Sequence, residues 1–304
     1  MKYQLNEELR FLEKMKMPAN IKLLPAVNFA MNIFQCKPDE NVDVKRYKIP
    51  GYQGAELPVL VIEPRQTKQK LPGLVYFHGG GFVLKASGAH YQLAKEYAAK
   101  LPCRVIYADY RLAPEFPFPL PVEDCFCTWQ WVQKHISKLQ LISDRIMVAG
   151  DSAGGNLAAA VTLMARDRGL RLPDGVMLIY PVVDRRMDTA SMKKYTDTPV
   201  WDARLSGMMW DAYLGKQKPE RVEYASPLEA PSLQGFPPTY MEVAEFDVLH
   251  DEGVMFYDRL RSSKVEAKLY EMKGTCHGYE TAVKSSIMKK CMDRRLAWMN
   301  SLFR

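Results

Sequence analysis

The chain of 304 residues is 47% hydrophobic and 25% charged, the balance of a globular protein rather than a disordered or fibrous one. Its net charge of +7 is spread along the whole length with no binding motif beside it, which sets aside nucleic-acid recognition. No apolar run nears the roughly 18 residues of a membrane span, so the chain is expected in the cytosol, with its cysteines reduced.

The N-terminal stretch MKYQLNEELRFLEKMK mixes both charge signs with apolar residues at helical spacing and lacks the apolar centre of a secretory signal. Residues 1 to about 45 therefore read as helical and as preceding the sheet. From there, short β-branched or aromatic runs alternate with helical stretches. The strands read as Leu57–Ile62, Gly73–Phe77, Arg104–Ala108, Arg145–Ala149, Gly175–Tyr180, Thr239–Val243 and Ala267–Glu271. Between them lie helical segments such as His90–Leu101, Val122–Lys138, Gly155–Arg168 and Asp251–Ser263. The later strands hardly alternate, as parallel strands covered on both faces do, so the fold class is α/β with a mostly parallel sheet flanked by helices.

A second irregular region, residues 185–230, is rich in Met, Trp and Tyr: Met192, Tyr195, Trp201, Met208, Met209, Trp210 and Tyr213. Each of these side chains reads first as core packing. Taken with residues 1–45, the region reads as a cap over the carboxyl ends of the strands, where open α/β sheets place their sites. No repeat and no Gly/Ser linker divides the chain, so residues 1–304 are expected to form one domain. The basic cluster Lys284–Arg295 reads as the solvated face of a C-terminal helix, with Ile287, Cys291 and Leu296 turned inward. Cys125 and Cys127 form a C-x-C pair without a second pair or nearby histidines, and are expected to be buried, inert thiols rather than metal ligands.

The chemistry is signalled first by HGGGF at His78–Phe82, where a strand-like run ends in bare glycine. Consecutive glycines weaken a fold unless the backbone itself is needed there. A second signal is GDSAGGN at Gly150–Asn156, a G-x-S-x-G turn between a strand and a helix. Such a turn holds a serine hydroxyl above the sheet, and Gly150, Ala153 and Gly154 keep the crossing backbones clear. Ser152 then needs a base and a carboxylate, in the order serine, acid, histidine. Beyond Ser152 stand His250 and His277; His277 follows the last strand in a loop and is preferred, whereas His250 opens a helix. Asp247 follows the strand TYMEV and is preferred as the acid over Asp251, which is placed to cap the next helix. Backbone N–H groups of Gly79, Gly80 and Ala153 would receive an oxyanion. YRLAPE, with Arg111 and Glu115, is expected to brace the glycine loop, and Asp151 and Asn156 to support the site.

HGGGF, YRLAPE at Tyr110–Glu115, GDSAGG, the E-x-D-x-L at Glu245–Leu249 and HGY at His277–Tyr279 together resemble the bacterial hormone-sensitive-lipase-like family of α/β-hydrolase esterases, from about residue 45 to the C-terminus. The resemblance implies an eight-stranded sheet with its second strand antiparallel, a helical cap, and hydrolysis of short-chain carboxylic esters through an acyl-enzyme, without cofactor or metal. It maps Ser152, Asp247 and His277 onto the triad, and Gly79, Gly80 and Ala153 onto the oxyanion hole. It also allows a homodimer. The expected partner is a small-molecule ester, with no nucleic acid and no membrane span. Two other readings share the scaffold: a non-catalytic receptor, disfavoured because His277 is present, and hydrolysis of amides, thioesters or sugar acetates. Long-chain lipase action is disfavoured because no stretch looks like a dedicated membrane-surface anchor.

Overall fold

The computed structural model describes residues 2–17, 20–216 and 218–303. Its strands are β1 (Val42–Pro50), β2 (Glu56–Pro64), β3 (Leu71–Phe77), β4 (Arg104–Ala108), β5 (Leu141–Asp151), β6 (Val176–Ile179), β7 (Thr239–Phe246) and β8 (Ala267–Cys276). They form one 8-stranded sheet in the order β1-β2-β4-β3-β5-β6-β7-β8. β2 runs antiparallel to both its neighbours, and every pairing from β4 to β8 is parallel.

The strands read from the sequence are all present, and β1 is added to them. Its sequence, VDVKRYKIP, begins at the end of the region expected to be helical and escapes notice because it is an edge strand: Lys45, Arg46 and Lys48 are exposed, and only Val42 and Ile49 are buried. The irregular N-terminal region therefore ends before residue 42.

The helices are α1 (Leu24–Met31), α2 (Gly88–Lys100), α3 (Leu120–Lys134), α4 (Ala153–Asp167), α5 (Ala190–Lys194), α6 (Ala203–Leu214), α7 (His250–Ser262) and α8 (Ser286–Leu302). The two-residue period of the strands sorts the core into layers. Val75 and Phe77 of β3 pack on one face with residues of α3, α4 and α7, while Leu74 and Tyr76 pack on the other with residues of α2 and α8. α4 is buried at every position from Ala153 to Ala165, which is why its sequence is small and apolar all round. Among the described residues, no helix is long and apolar enough to cross a membrane.

The C-terminal helix corrects the sequence reading. Its inward face is Met288, Cys291, Met292, Arg295, Trp298 and Met299, with Ile287 and Leu296 only half-buried. Arg295 is fully buried because two buried carboxylates, Glu242 and Glu280, need its charge.

The two irregular regions meet above the sheet. The Val200 N–H donates to the Met15 carbonyl at 3.0 Å, and Lys2 pairs with Asp197 at 2.7 Å. Met192, Tyr195, Met209, Trp210 and Tyr213 are buried, and Tyr213 stacks on Phe82 with ring centroids 3.7 Å apart.

Candidate active site

β3, β5, β7 and β8 are parallel, so the loops leaving their carboxyl ends open on the same edge of the sheet. Those loops carry, in chain order, the glycine run, Ser152, Asp247 and His277. Ser152 joins β5 directly to α4 with φ 53 and ψ −120, a conformation that side-chain-bearing residues rarely hold without compensation. The crossing is tight: a Cβ on Gly154 would lie 2.0 Å from the Phe77 carbonyl oxygen, and one on Gly150 would lie 2.2 Å from that of Gly154.

The Ser152 Oγ lies 2.9 Å from His277 Nε2, and His277 Nδ1 lies 2.7 Å from Asp247 Oδ2. A carboxylate only accepts, so the imidazole proton sits on Nδ1 and leaves Nε2 to accept from the serine hydroxyl. The second oxygen of Asp247 takes the Leu249 N–H at 3.0 Å, which fixes the carboxylate plane. All three side chains are buried, and the imidazole is flanked by the rings of Tyr180 and Trp201 at 4.7 and 5.9 Å. The competing residues go elsewhere. His250 contacts Asp251 at 2.8 Å and Glu271 at 3.4 Å, while Asp251 also accepts the Ser191 N–H.

The glycine loop departs from expectation at one position. The Gly79 N–H donates to Asp151 Oδ1 at 3.0 Å, so it is not free to meet an oxyanion. Gly80 and Gly81 line the cavity that holds Ser152, with φ +116 and +61, and among the described residues neither N–H has an acceptor. Gly81, to which the sequence reading assigned no role, thus stands beside Gly80 on the cavity wall where Gly79 does not. The signal that could have found it was Asp151, an acid beside the serine that was expected to support the site but was given no partner.

The loop is held from several sides. Tyr110 donates its hydroxyl to the His78 carbonyl at 2.7 Å, and the Ala113 N–H donates to Phe82 at 2.9 Å. Within YRLAPE it is therefore Tyr110 and Ala113 that brace the loop. Arg111 instead grips Asp124 at 2.7 Å, and Glu115 is exposed. His78 is stacked on Tyr110 at 4.5 Å and donates Nδ1–H to the Gly79 carbonyl at 2.7 Å. Burial, aided by the nearby His90, pulls its pKa down to about 4.

Asp151 also accepts the Tyr76 hydroxyl at 2.8 Å and lies 3.2 Å from His90 Nε2. Burial pushes this carboxyl up, but the charge and hydrogen bond of His90 and the bond from Tyr76 outweigh it and hold the pKa at about 2. Asn156 donates to the Ala225 carbonyl at 2.8 Å and so ties α4 to the segment leading into β7. Tyr76 and His90 carried no motif, and only the folded chain brings them to the site.

The cavity at Ser152 encloses about 330 Å³, and its apolar wall comes from Met17, Val27, Met31, Leu84, Val200 and Trp201. Both irregular regions contribute to that wall. Among the described residues, no group of His, Cys, Asp or Glu is placed to hold a metal ion. Cys125 is buried and Cys127 is half-buried, and burial raises both thiols.

A family model described as alpha/beta hydrolase fold matches residues 74–281. The carboxylesterase NlhH of Mycobacterium tuberculosis is 32% identical over 238 residues, which cover 75% of this chain and 73% of the relative. A hormone-sensitive lipase of Ictidomys tridecemlineatus is 44% identical over 129 residues, 42% of this chain and 17% of that one. Among solved structures, a bacterial heroin esterase matches with a TM-score of 0.92 at 30% identity, covering 100% of both chains.

Proposed function

Because the chain belongs to the hormone-sensitive-lipase-like family of α/β-hydrolase esterases, we propose that Ser152, His277 and Asp247 carry its reaction. That reaction is the hydrolysis of carboxylic esters through a serine. His277 Nε2 takes the Ser152 proton as Oγ bonds to the ester carbonyl carbon, and Asp247 stabilises the imidazolium that forms. The imidazolium then protonates the leaving alkoxide, the alcohol departs, and an acyl-serine remains. A water, deprotonated by the same imidazole, releases the carboxylic acid and restores the serine.

Gly80, Gly81 and Ala153 supply the N–H groups for the oxyanion in this reading. The observation that carries the assignment is the continuous chain from Ser152 to His277 at 2.9 Å and on to Asp247 at 2.7 Å. We assign short acyl chains as substrates, supported by a cavity of about 330 Å³ walled by Trp201. The two irregular regions act as the cap that supplies this wall.

Initial rates on p-nitrophenyl esters from acetate to decanoate, for the wild type beside Ser152→Ala, test the reading. Turnover that peaks at short chains and disappears in the variant supports it. Turnover that survives in a folded Ser152→Ala protein overturns the nucleophile assignment.

A further inference from the structure

Most of the exposed large apolar side chains of the described chain fall in one segment: Phe11, Met15, Leu23, Phe29, Ile33 and Phe34, with Phe29 and Ile33 each 80% exposed. The arrangement follows from how α1 is seated. Leu24 packs inward in a cluster with Val27 and Met31, at helical spacing, which turns Phe29 to the opposite side. Asn28 locks that orientation, since its side chain donates to the Val83 carbonyl at 2.8 Å and accepts the Lys85 N–H at 3.0 Å. The outward face is therefore a fixed surface.

The same segment is basic. Lys14, Lys16, Lys22 and Lys37 are all exposed, and no Asp or Glu stands between Lys14 and Lys37. It also borders the catalytic cavity, whose wall includes Met15, Met17, Val27 and Met31. Apolar side chains presented to water cost free energy, and a soluble partner would have to match both their shape and the lysines. A bilayer with anionic headgroups matches both without any shape requirement, because apolar side chains enter the acyl boundary while lysines stay at the phosphates. A second copy of the chain would instead bring like charges together.

We propose that the outward face of α1 and its flanks docks on anionic phospholipid surfaces and so sets the cavity mouth against the phase into which apolar esters partition. The docking goes beyond the ester-hydrolase reading and is measured without turnover. Its test is co-sedimentation of Ser152→Ala protein with phosphatidylcholine vesicles, with and without phosphatidylglycerol. Retention should be at least about tenfold greater with phosphatidylglycerol, and should fall as salt is raised.

Phe29→Glu/Ile33→Glu should lower that retention by about tenfold or more, while an otherwise wild-type enzyme carrying the pair hydrolyses a soluble acetate ester at the unaltered rate. Lys22→Glu/Lys37→Glu, which leaves the apolar residues in place, should lower it as well. Equal retention on both vesicle types, or undiminished binding by both variants, overturns the proposal. So does a concentration-dependent dimer in sedimentation velocity that the Phe29→Glu/Ile33→Glu pair abolishes, because a second copy would then be what covers the face.

Discussion

The carboxylate of Asp151 accepts the N–H of Gly79 at 3.0 Å, so the residue that precedes Ser152 also anchors the glycine loop opposite it. In the proposed reaction the nucleophile and the oxyanion donors would then move together, because one side chain links the end of β5 to the end of β3. Asp151→Asn keeps the size but removes the charge that gathers Gly79, Tyr76 and His90. It should lower kcat about 10- to 100-fold with KM changed by less than about threefold, the pattern of a defect felt mainly in the transition state. Steady-state kinetics beside an unaltered circular dichroism spectrum check this. An unchanged kcat would mean that the link does not set the loop geometry.

His78 makes stability depend on pH. Its folded pKa of about 4 lies below the ordinary histidine value of about 6.5, so the folded state resists its protonation. The contribution is complete above about pH 6.5 and is lost as the pH falls toward 4, amounting to about 3 kcal/mol by linkage. His90 acts in the opposite sense: burial lowers its pKa, but Asp151 more than restores it, so its stabilising contribution is present at low pH and lost as the pH rises. A comparison of wild type with His78→Asn isolates the first effect. Urea unfolding at pH 7 and pH 5 should show the wild type losing more stability between the two than the variant, and equal losses would remove His78 from the account.

Much of this was legible in the sequence, for a physical reason. The strands buried on both faces are continuous apolar runs, and the turn at Ser152 admits only small neighbours, so both write themselves into composition. β1 escaped because an edge strand with one wet face, VDVKRYKIP, has the charge density of a loop. Arg295 was taken for a solvated residue because the carboxylates that bury it, Glu242 and Glu280, are distant in the chain. Gly79 and Gly81 are equivalent as letters, and only the position of the Asp151 carboxylate separates them. The exposed apolar face of α1 was equally hidden, since in sequence Phe29 and Ile33 cannot be told from core residues.

Arg295 carries the next prediction. It pairs with Glu242 at 2.5 Å and with Glu280, and it also donates to the Tyr97 hydroxyl at 3.1 Å, all out of contact with water. Glu280 in turn accepts the hydroxyl of Tyr180, whose ring lies against His277. Burial raises the pKa of Glu280 even with the arginine beside it. Arg295→Ala would leave two buried carboxylates uncompensated and should cost about 3 to 5 kcal/mol of stability. Arg295→Leu combined with Glu242→Gln and Glu280→Gln should recover part of that loss, as read by urea unfolding. A loss below about 1 kcal/mol in Arg295→Ala would show that the carboxylates take up protons without penalty.

Trp201 carries the last prediction. It closes the wall beside Ser152, its ring lies 5.9 Å from that of His277, and its indole N–H donates to Ser206 Oγ at 3.0 Å, which fixes its angle. The residue stands between α5 and α6, outside the strands, so its removal enlarges the cavity without altering the sequence of β5, β7 or β8. Trp201→Ala should move the preferred p-nitrophenyl ester to a longer chain and raise the decanoate-to-acetate ratio of kcat/KM at least about tenfold, the scale on which apolar pockets discriminate chain length. Acetate turnover should fall less than this ratio rises, because the contacts joining Ser152, His277 and Asp247 stay in place. A uniform loss across the series would instead assign Trp201 to holding His277, and would leave the chain-length limit to Met17, Val27 and Met31.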